Sequence, residues 1–196
     1  MAVLSKYNTF GKRFAAAIVD GIIFMPFGYL LNYLTSFDTI SFGIISALIN
    51  TLAWTAYYVI GHGKYGQTLG KRLLEVKVLA IDEKKTIGYK KAFIRESVWF
   101  FTEIATIGYF AFNFFSDSFK SSFYGIDNVS FFLSLTSLLW LIAELITMLF
   151  NDKRRAVHDL MAGSVVINLS ELKREELLKK HNELMAAALE RKGPIE

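Results

Sequence analysis

Four long apolar stretches, at residues 14–34, 40–60, 96–115 and 129–150, constrain this chain more than any motif does. About 20 apolar residues is the length an α-helix needs to cross the hydrocarbon of a bilayer. The first stretch carries Asp20 as its only charge, and the second carries none and ends in Trp54, Tyr57 and Tyr58, rings suited to a headgroup boundary. The third is interrupted by Glu103 and the fourth by Glu144. With 53% hydrophobic residues and a mean hydropathy of +0.35, the chain is no ordinary soluble domain, and disorder, collagen and nucleic-acid binding are excluded by composition. The expected fold is therefore an all-α integral membrane protein with four transmembrane helices, its membrane domain occupying residues 1–168. Residues 14–34 read as a retained span, since they are too long for a signal peptide, contain Asp20 and lack a small-residue cleavage pattern.

The charges lie between the spans. Residues 61–94 hold Lys64, Lys71, Arg72, Lys77, Lys84, Lys85, Lys90 and Lys91 against Glu75, Asp82 and Glu83. Within them, Leu74, Val76, Val78 and Leu79, the polar turn from Asp82 to Lys85, and Thr86 and Ile87 predict a short cytoplasmic hairpin between spans 2 and 3. Residues 169–196 read as a cytoplasmic amphipathic tail: Ser170 is placed to cap it, Glu175 pairs with Lys179 and Glu176 with Lys180, and Gly193 and Pro194 stop it. Basic residues near Arg13, throughout 61–95 and after Phe150 fall on one side of a four-span topology, while the turn around Asp38 and the loop at 116–128 hold only Lys120. The positive-inside rule then places both termini and the middle loop in the cytoplasm.

Chemistry has few places to reside. Without cysteine there is no disulfide, thiolate ligand or cysteine nucleophile, and His62, His158 and His181 lack the spacing of a zinc helix. We expect no metal and no cofactor. Gly66 to Arg72 imitates a phosphate-binding loop, but the glycines are too close and Arg72 stands where a hydroxyl residue is required. His158 beside Asp159 lacks a nucleophile to activate, and pairing with the run Lys153 to Arg155 is the plainer account, so we expect no enzyme.

The intramembrane acids carry more information, because a lipid-facing charge costs roughly 2.5 to 3.5 kcal/mol. Asp20, Glu103 and Glu144 lie seven residues past Arg13, eight past Arg95 and seven before Asn151, which puts each ~10 to 12 Å inside the cytoplasmic boundary. Three acids at one depth, facing the bundle interior, form a candidate cation- or proton-binding layer, with Arg13 and Arg95 at its cytoplasmic mouth. The competing account makes them structural partners of Arg13, Arg95, Arg154 or Arg155. Pro26 removes a backbone donor in the first span and either kinks it or frees a carbonyl, the kink being favoured.

Several of these segments together resemble one family. Arg13, Ala17 and Asp20 open the first span, GQTLGKRLLEVKVL runs from Gly66 to Leu79, Ala92 to Arg95 lead into the third span, and RRAVHDLMAGSVVI runs from Arg154 to Ile167. Over residues 12–167 the chain resembles the RDD family of small membrane proteins, named for an arginine and two aspartates. The resemblance carries over Arg13, Asp20 and Asp159 as the naming residues. It implies a multi-span bacterial membrane protein without one settled physiological role, with cation/proton antiport suggested for some members, and often with fewer predicted spans.

From this we expect monovalent cation or proton transport, of Na⁺ or H⁺, in the cell membrane. The rival class is a non-transporting accessory or scaffold. Expected partners are membrane lipids, anionic ones favoured by the basic loops, and a second copy or another protein through the C-terminal helix; no nucleic acid is expected.

Overall fold

The computed structural model describes residues 5–35, 40–115 and 128–192. The turn around Asp38, the connection at residues 116–127 and the helix stop at Gly193 and Pro194 lie outside the described residues. The molecule is mostly helical: α1 (Phe10–Thr35), α2 (Ile40–Ile60), a π-helical turn (Gly61–Tyr65), α3 (Leu69–Leu73), α4 (Gly88–Phe115), α5 (Asn128–Phe150), α6 (Val157–Ala162) and α7 (Leu169–Lys192). Two strands, β1 (Val76–Ala80) and β2 (Ser164–Asn168), complete it, and a 3₁₀ turn at Ser5–Tyr7 precedes α1.

Three described segments, Ser5–Leu34, Gly43–Tyr65 and Phe131–Phe150, are long and apolar enough to cross a membrane. Their outer faces are what lipid requires: Phe14, Ile22, Tyr29, Leu52, Phe132 and Leu149 are all exposed. Helix α4, 28 residues and ~42 Å long, packs along α2 but is less apolar, with Arg95, Glu96 and Glu103 inside it. Pro26 lies within α1, which continues past it to Thr35.

The expected hairpin between spans 2 and 3 is not formed. Strand β1 pairs antiparallel with β2, in a register running from Val76 opposite Asn168 to Ala80 opposite Ser164. The reason is length. After the turn at Asp82 to Lys85, only Thr86 and Ile87 remain before α4 begins, too few for a strand, whereas β2 offers five residues that are all buried. The pleat then sorts the side chains. Val76, Val78, Ala80 and Val166 face the helices and pack with Ala16, Ile87 and Ala92, while Leu79, Val165 and Ile167 pack beneath Tyr7 with Leu169 and Leu172 at the start of α7. Asn168, not Ser170, caps α7: its Oδ1 accepts from the Ser170 amide at 3.2 Å and the Ser170 hydroxyl at 2.7 Å.

Glu83, in the turn after β1, ties this cap to the N-terminal segment and to the α5–α6 connection. It accepts from Lys6 at 2.7 Å, Tyr7 at 2.5 Å and Lys153 at 3.1 Å. Partial burial opposes its ionisation, but the three hydrogen bonds outweigh that and hold its carboxyl down at about 2, against an ordinary 4.5. Because the folded carboxyl ionises more readily than the unfolded one, this tether contributes fully above about pH 4.5 and is lost as pH falls towards about 2. Thermal melts of wild type and Glu83→Gln should therefore differ near neutrality and converge on acidification. A gap that persists at about pH 2 would mean that the ionised tether is not what Glu83 supplies.

Candidate functional site

Beneath the two-stranded cap, the ends of the helices enclose a buried cluster of charges. Arg13, Ala16 and Asp20 share one face of α1 by their spacing of three and four, and this face meets α3. Asp20 is fully buried and accepts three bonds: from the Tyr57 hydroxyl at 2.6 Å, the Thr68 hydroxyl at 2.6 Å and the Gly70 amide at 2.7 Å. Thr68 is also the cap of α3, accepting from the Lys71 amide. Gly70 allows the close approach, since a Cβ there would lie 2.2 Å from the Ala16 carbonyl oxygen. Gly66, at φ +72°, makes the turn that brings its carbonyl to the Val78 amide at 2.7 Å, and so links α2 to β1.

Asp159, the second buried aspartate, sits in the first turn of α6. It accepts from Arg13 Nη2 at 2.7 Å, Arg95 Nη1 at 2.5 Å, Ser164 Oγ at 2.9 Å and, as in a capping box, the Ala156 amide at 3.2 Å. Burial opposes its charge, but the two guanidinium groups prevail and hold its carboxyl well below the usual range. The expected partners of Asp159 are thus corrected. Arg13 and Arg95 take its carboxylate, whereas Arg155 reaches only its backbone oxygen, at 3.3 Å.

His158 is fixed in one tautomer by its neighbours. Its Nε2 faces Arg95 Nη2 at 2.8 Å and Arg13 Nη2 at 3.1 Å, both obligatory donors, so Nε2 accepts and the proton lies on Nδ1. Nδ1 lies 2.7 Å from Glu144 Oε2, and the His158 amide donates to Oε1 at 3.2 Å. Burial first, and the charge of Arg95 next, lower the His158 pKa, in keeping with a neutral ring. His62 repeats the logic: Lys71 Nζ approaches its Nε2 at 2.9 Å, and its Nδ1 lies 3.1 Å from Glu96 Oε1. Lys71 itself is buried, 5.5 Å above the Tyr58 ring, and burial with the nearby Arg95 brings its ammonium down to about 7.

The charges in this cluster do not balance. Asp20, Glu96, Glu144 and Asp159 supply four negative charges against two permanent positive ones on Arg13 and Arg95. With both histidines neutral, the buried side chains sum to −1 when Lys71 is protonated and −2 when it is not, and the half-buried Arg155, 3.3 Å from the Asp159 backbone oxygen, adds one positive charge at the edge of the cluster. Arg13, Lys71, Arg95, Glu96, Glu144 and His158 all line one cavity of about 270 Å³, whose remaining walls are apolar residues of α1, α4 and α5 and the Tyr58 ring. Chemically, the cluster has room for a small ion and a site where one proton is readily gained or lost.

Of the three acids placed in one layer by depth, the structure brings Asp20 and Glu144 into this cluster. Glu103 is not there. It is exposed on α4, and the expectation that it faces the bundle interior is corrected, because depth fixes its height but not the side of the helix on which it lies. Arg13 and Arg95 both belong to the cluster, yet Arg13 bonds Asp159 rather than Asp20. Sequence reasoning missed Lys71, His62, Glu96, Tyr57, Thr68 and Gly70 as site residues. The signal was present in GQTLGK, residues 66–71, which has no role as a phosphate loop but is an unusual string for a merely flexible connection.

Apolar helices long enough to cross a bilayer, closed on one side by a cap over a buried charge cluster, define a membrane protein. The chain belongs to the RDD family, whose family model matches residues 7–163. No curated protein and no solved structure gives a significant match to it. Arg13, Asp20 and Asp159, the three residues carried over from the family resemblance, are all within the cluster, and the arginine and the second aspartate form an ion pair.

Proposed function

We propose that this protein exchanges a proton for a monovalent cation such as Na⁺ across the cytoplasmic membrane, through the cavity bounded by Glu96, Glu144 and Lys71. The observation that carries this reading is a buried cluster of four carboxylates and two arginines, with Glu96 and Glu144 in the wall of a cavity beside a lysine whose pKa is brought down to about 7. A proton on Lys71 and a small cation in the cavity are alternative ways to offset the same charge, and competition of this kind is what couples two ions. Asp20 and Asp159, saturated with donors, hold the architecture instead of offering ligands. In this reading α1, α2, α4 and α5 all span, and the cap and both termini are cytoplasmic, which keeps nearly all loop Lys and Arg on one side.

Two experiments test it. In proteoliposomes, Glu144→Gln should reduce pH-gradient-driven Na⁺ flux by about tenfold or more, since the amide keeps the shape but not the charge, while the protein stays folded. Wild-type flux in a folded Glu144→Gln protein would favour the accessory or scaffold reading. That reading draws support from the saturation of both aspartates and from α7, whose exposed Leu177 and Leu184 suit a partner or a second copy. For topology, the chain has no native cysteine. Single cysteines replacing Ser122 and Lys84 should react with an impermeant reagent in intact cells only at position 122, and the reverse result would overturn the orientation.

A further inference from the structure

The back of α3 carries a second, separate cavity. It measures about 640 Å³ and is walled by Tyr57, Ile60, Tyr65, Gln67, Leu69 and Arg72, with backbone from Gly61. It differs from the charge cluster in one decisive respect: among the described residues, no acid lines it. Arg72 is exposed, and no ion pair or side-chain hydrogen bond joins it to another described residue. A second exposed cation, Lys64, does not line the cavity but lies with its Nζ 5.2 Å from the ring of Tyr65, which does.

Its place on the molecule is equally specific. The apolar segment Gly43–Tyr65 ends at this cavity, so it sits where a span meets the headgroup layer. Helix α3 turns Gly70 and Lys71 inward to α1 and the cluster, and turns Leu69 and Leu73 outward, 50% and 70% exposed. Those two leucines are four apart and share one face, with Arg72 between them in sequence. A wall therefore combines apolar surface, tyrosine rings at interfacial height and an uncompensated guanidinium, the donor group best matched to phosphate oxygens.

We propose that this cavity binds the headgroup of an anionic phospholipid, its phosphate held by Arg72 with Lys64 as a second, more distant cation, and with the chains running along Leu69 and Ile60. Two cations with no acid in the wall favour a headgroup with net negative charge over a zwitterionic one, whose own cation would meet Arg72 and Lys64 with nothing to pair it. The bilayer supplies the occupant at high local concentration, and the exposed leucines give it an advantage that free phosphate lacks. The site does not depend on the ion-exchange reading, as none of its residues is a charged member of the cluster.

Delipidated full-length protein in detergent, titrated with phosphatidylglycerol or with phosphatidylcholine of the same chains and followed by native mass spectrometry, tests the proposal. Wild type should retain one phosphatidylglycerol with an affinity at least about tenfold above that for phosphatidylcholine. Arg72→Gln should bring the two lipids to within about twofold, and Lys64→Gln should move the ratio the same way by less. Both side chains are exposed, so the fold is expected to survive, as a thermal melt will show. Neutralising Lys179 and Lys180 on α7 removes two charges, more than either single variant, and should leave the preference intact. Equal binding of the two lipids by wild type, or an undiminished preference in Arg72→Gln, would overturn the proposal. So would displacement of the lipid by millimolar inorganic phosphate, which would assign the cavity to the free anion.

Discussion

Asp159→Asn should unfold this protein or leave it too unstable to purify. The side chain is fully buried, and its two oxygens separate the guanidinium groups of Arg13 and Arg95, at 2.7 Å and 2.5 Å. Removing the charge strands two guanidinium groups that are only 9% and 3% exposed, and breaking a buried pair in this way costs about 3 to 5 kcal/mol, a large part of the stability of a small domain. The damage should spread, because the same carboxylate bonds Ser164 at the start of β2 and the amide of Ala156 before α6. Thermal melts in detergent measure the loss. The double variant Asp159→Asn with Arg95→Gln should recover part of it, since one stranded charge is removed with its partner. A single variant as stable as wild type would show that the pair is not needed to hold cap and helices together.

Gly70→Ala should have an effect almost as large from one methyl group. A Cβ at Gly70 would stand 2.2 Å from the Ala16 carbonyl oxygen and 2.9 Å from the Asp20 carboxylate, distances that atoms do not adopt, and both obstacles are on the packed face of α1. Helix α3 must retreat. Doing so breaks the Gly70 amide bond to Asp20 and strains the one from Thr68, leaving a buried carboxylate short of donors. Overpacking costs about 1 to 3 kcal/mol and a lost hydrogen bond to a charged group about 1.5 to 3, so a loss of about 3 kcal/mol or more is expected. Gly66→Ala provides a comparison of different origin, since it adds a positive φ to a 2.6 Å approach to the Val78 carbonyl. If Gly70→Ala melts like wild type, the close packing of α3 on α1 is wrong.

Much of this architecture was legible in the sequence, and the misreadings have physical causes. Length without charge reveals a membrane helix directly, because the bilayer tests each span locally; the three apolar segments were therefore plain. Strand pairing is not local. Val76 to Ala80 reads as half of a hairpin because its own neighbourhood offers a turn, and nothing nearby announces that its partner lies in residues 164–168. The acids were found by their cost in lipid, but that argument yields depth alone. Asp20 and Glu144 meet neighbours at their depth, whereas Glu103 at a similar depth meets none among the described residues.

Lys71 escaped for the opposite reason. In a loop with eight basic residues it resembles any solvated lysine, and only the packing of α3 beneath Asp20 takes it out of water while Arg72, its neighbour, stays exposed. The same five-residue helix thus serves two sides. Arg13 and Asp159 were recognisable from the family motifs, but their pairing joins segments 146 residues apart and is set by the cap that β1 and β2 build.

The central claim is that one proton in this cluster is exchangeable and competes with a small cation for the same excess negative charge. Proton release from purified, weakly buffered protein near pH 7 on addition of Na⁺ tests it most directly. A measurable fraction of one proton per chain should be released, since a cation in the cavity lowers the affinity of Lys71 for its proton. The release should disappear in Lys71→Met and fall sharply in Glu144→Gln. Folded wild-type protein that releases no proton on adding Na⁺, or that releases as much without the Lys71 amine, would contradict the account.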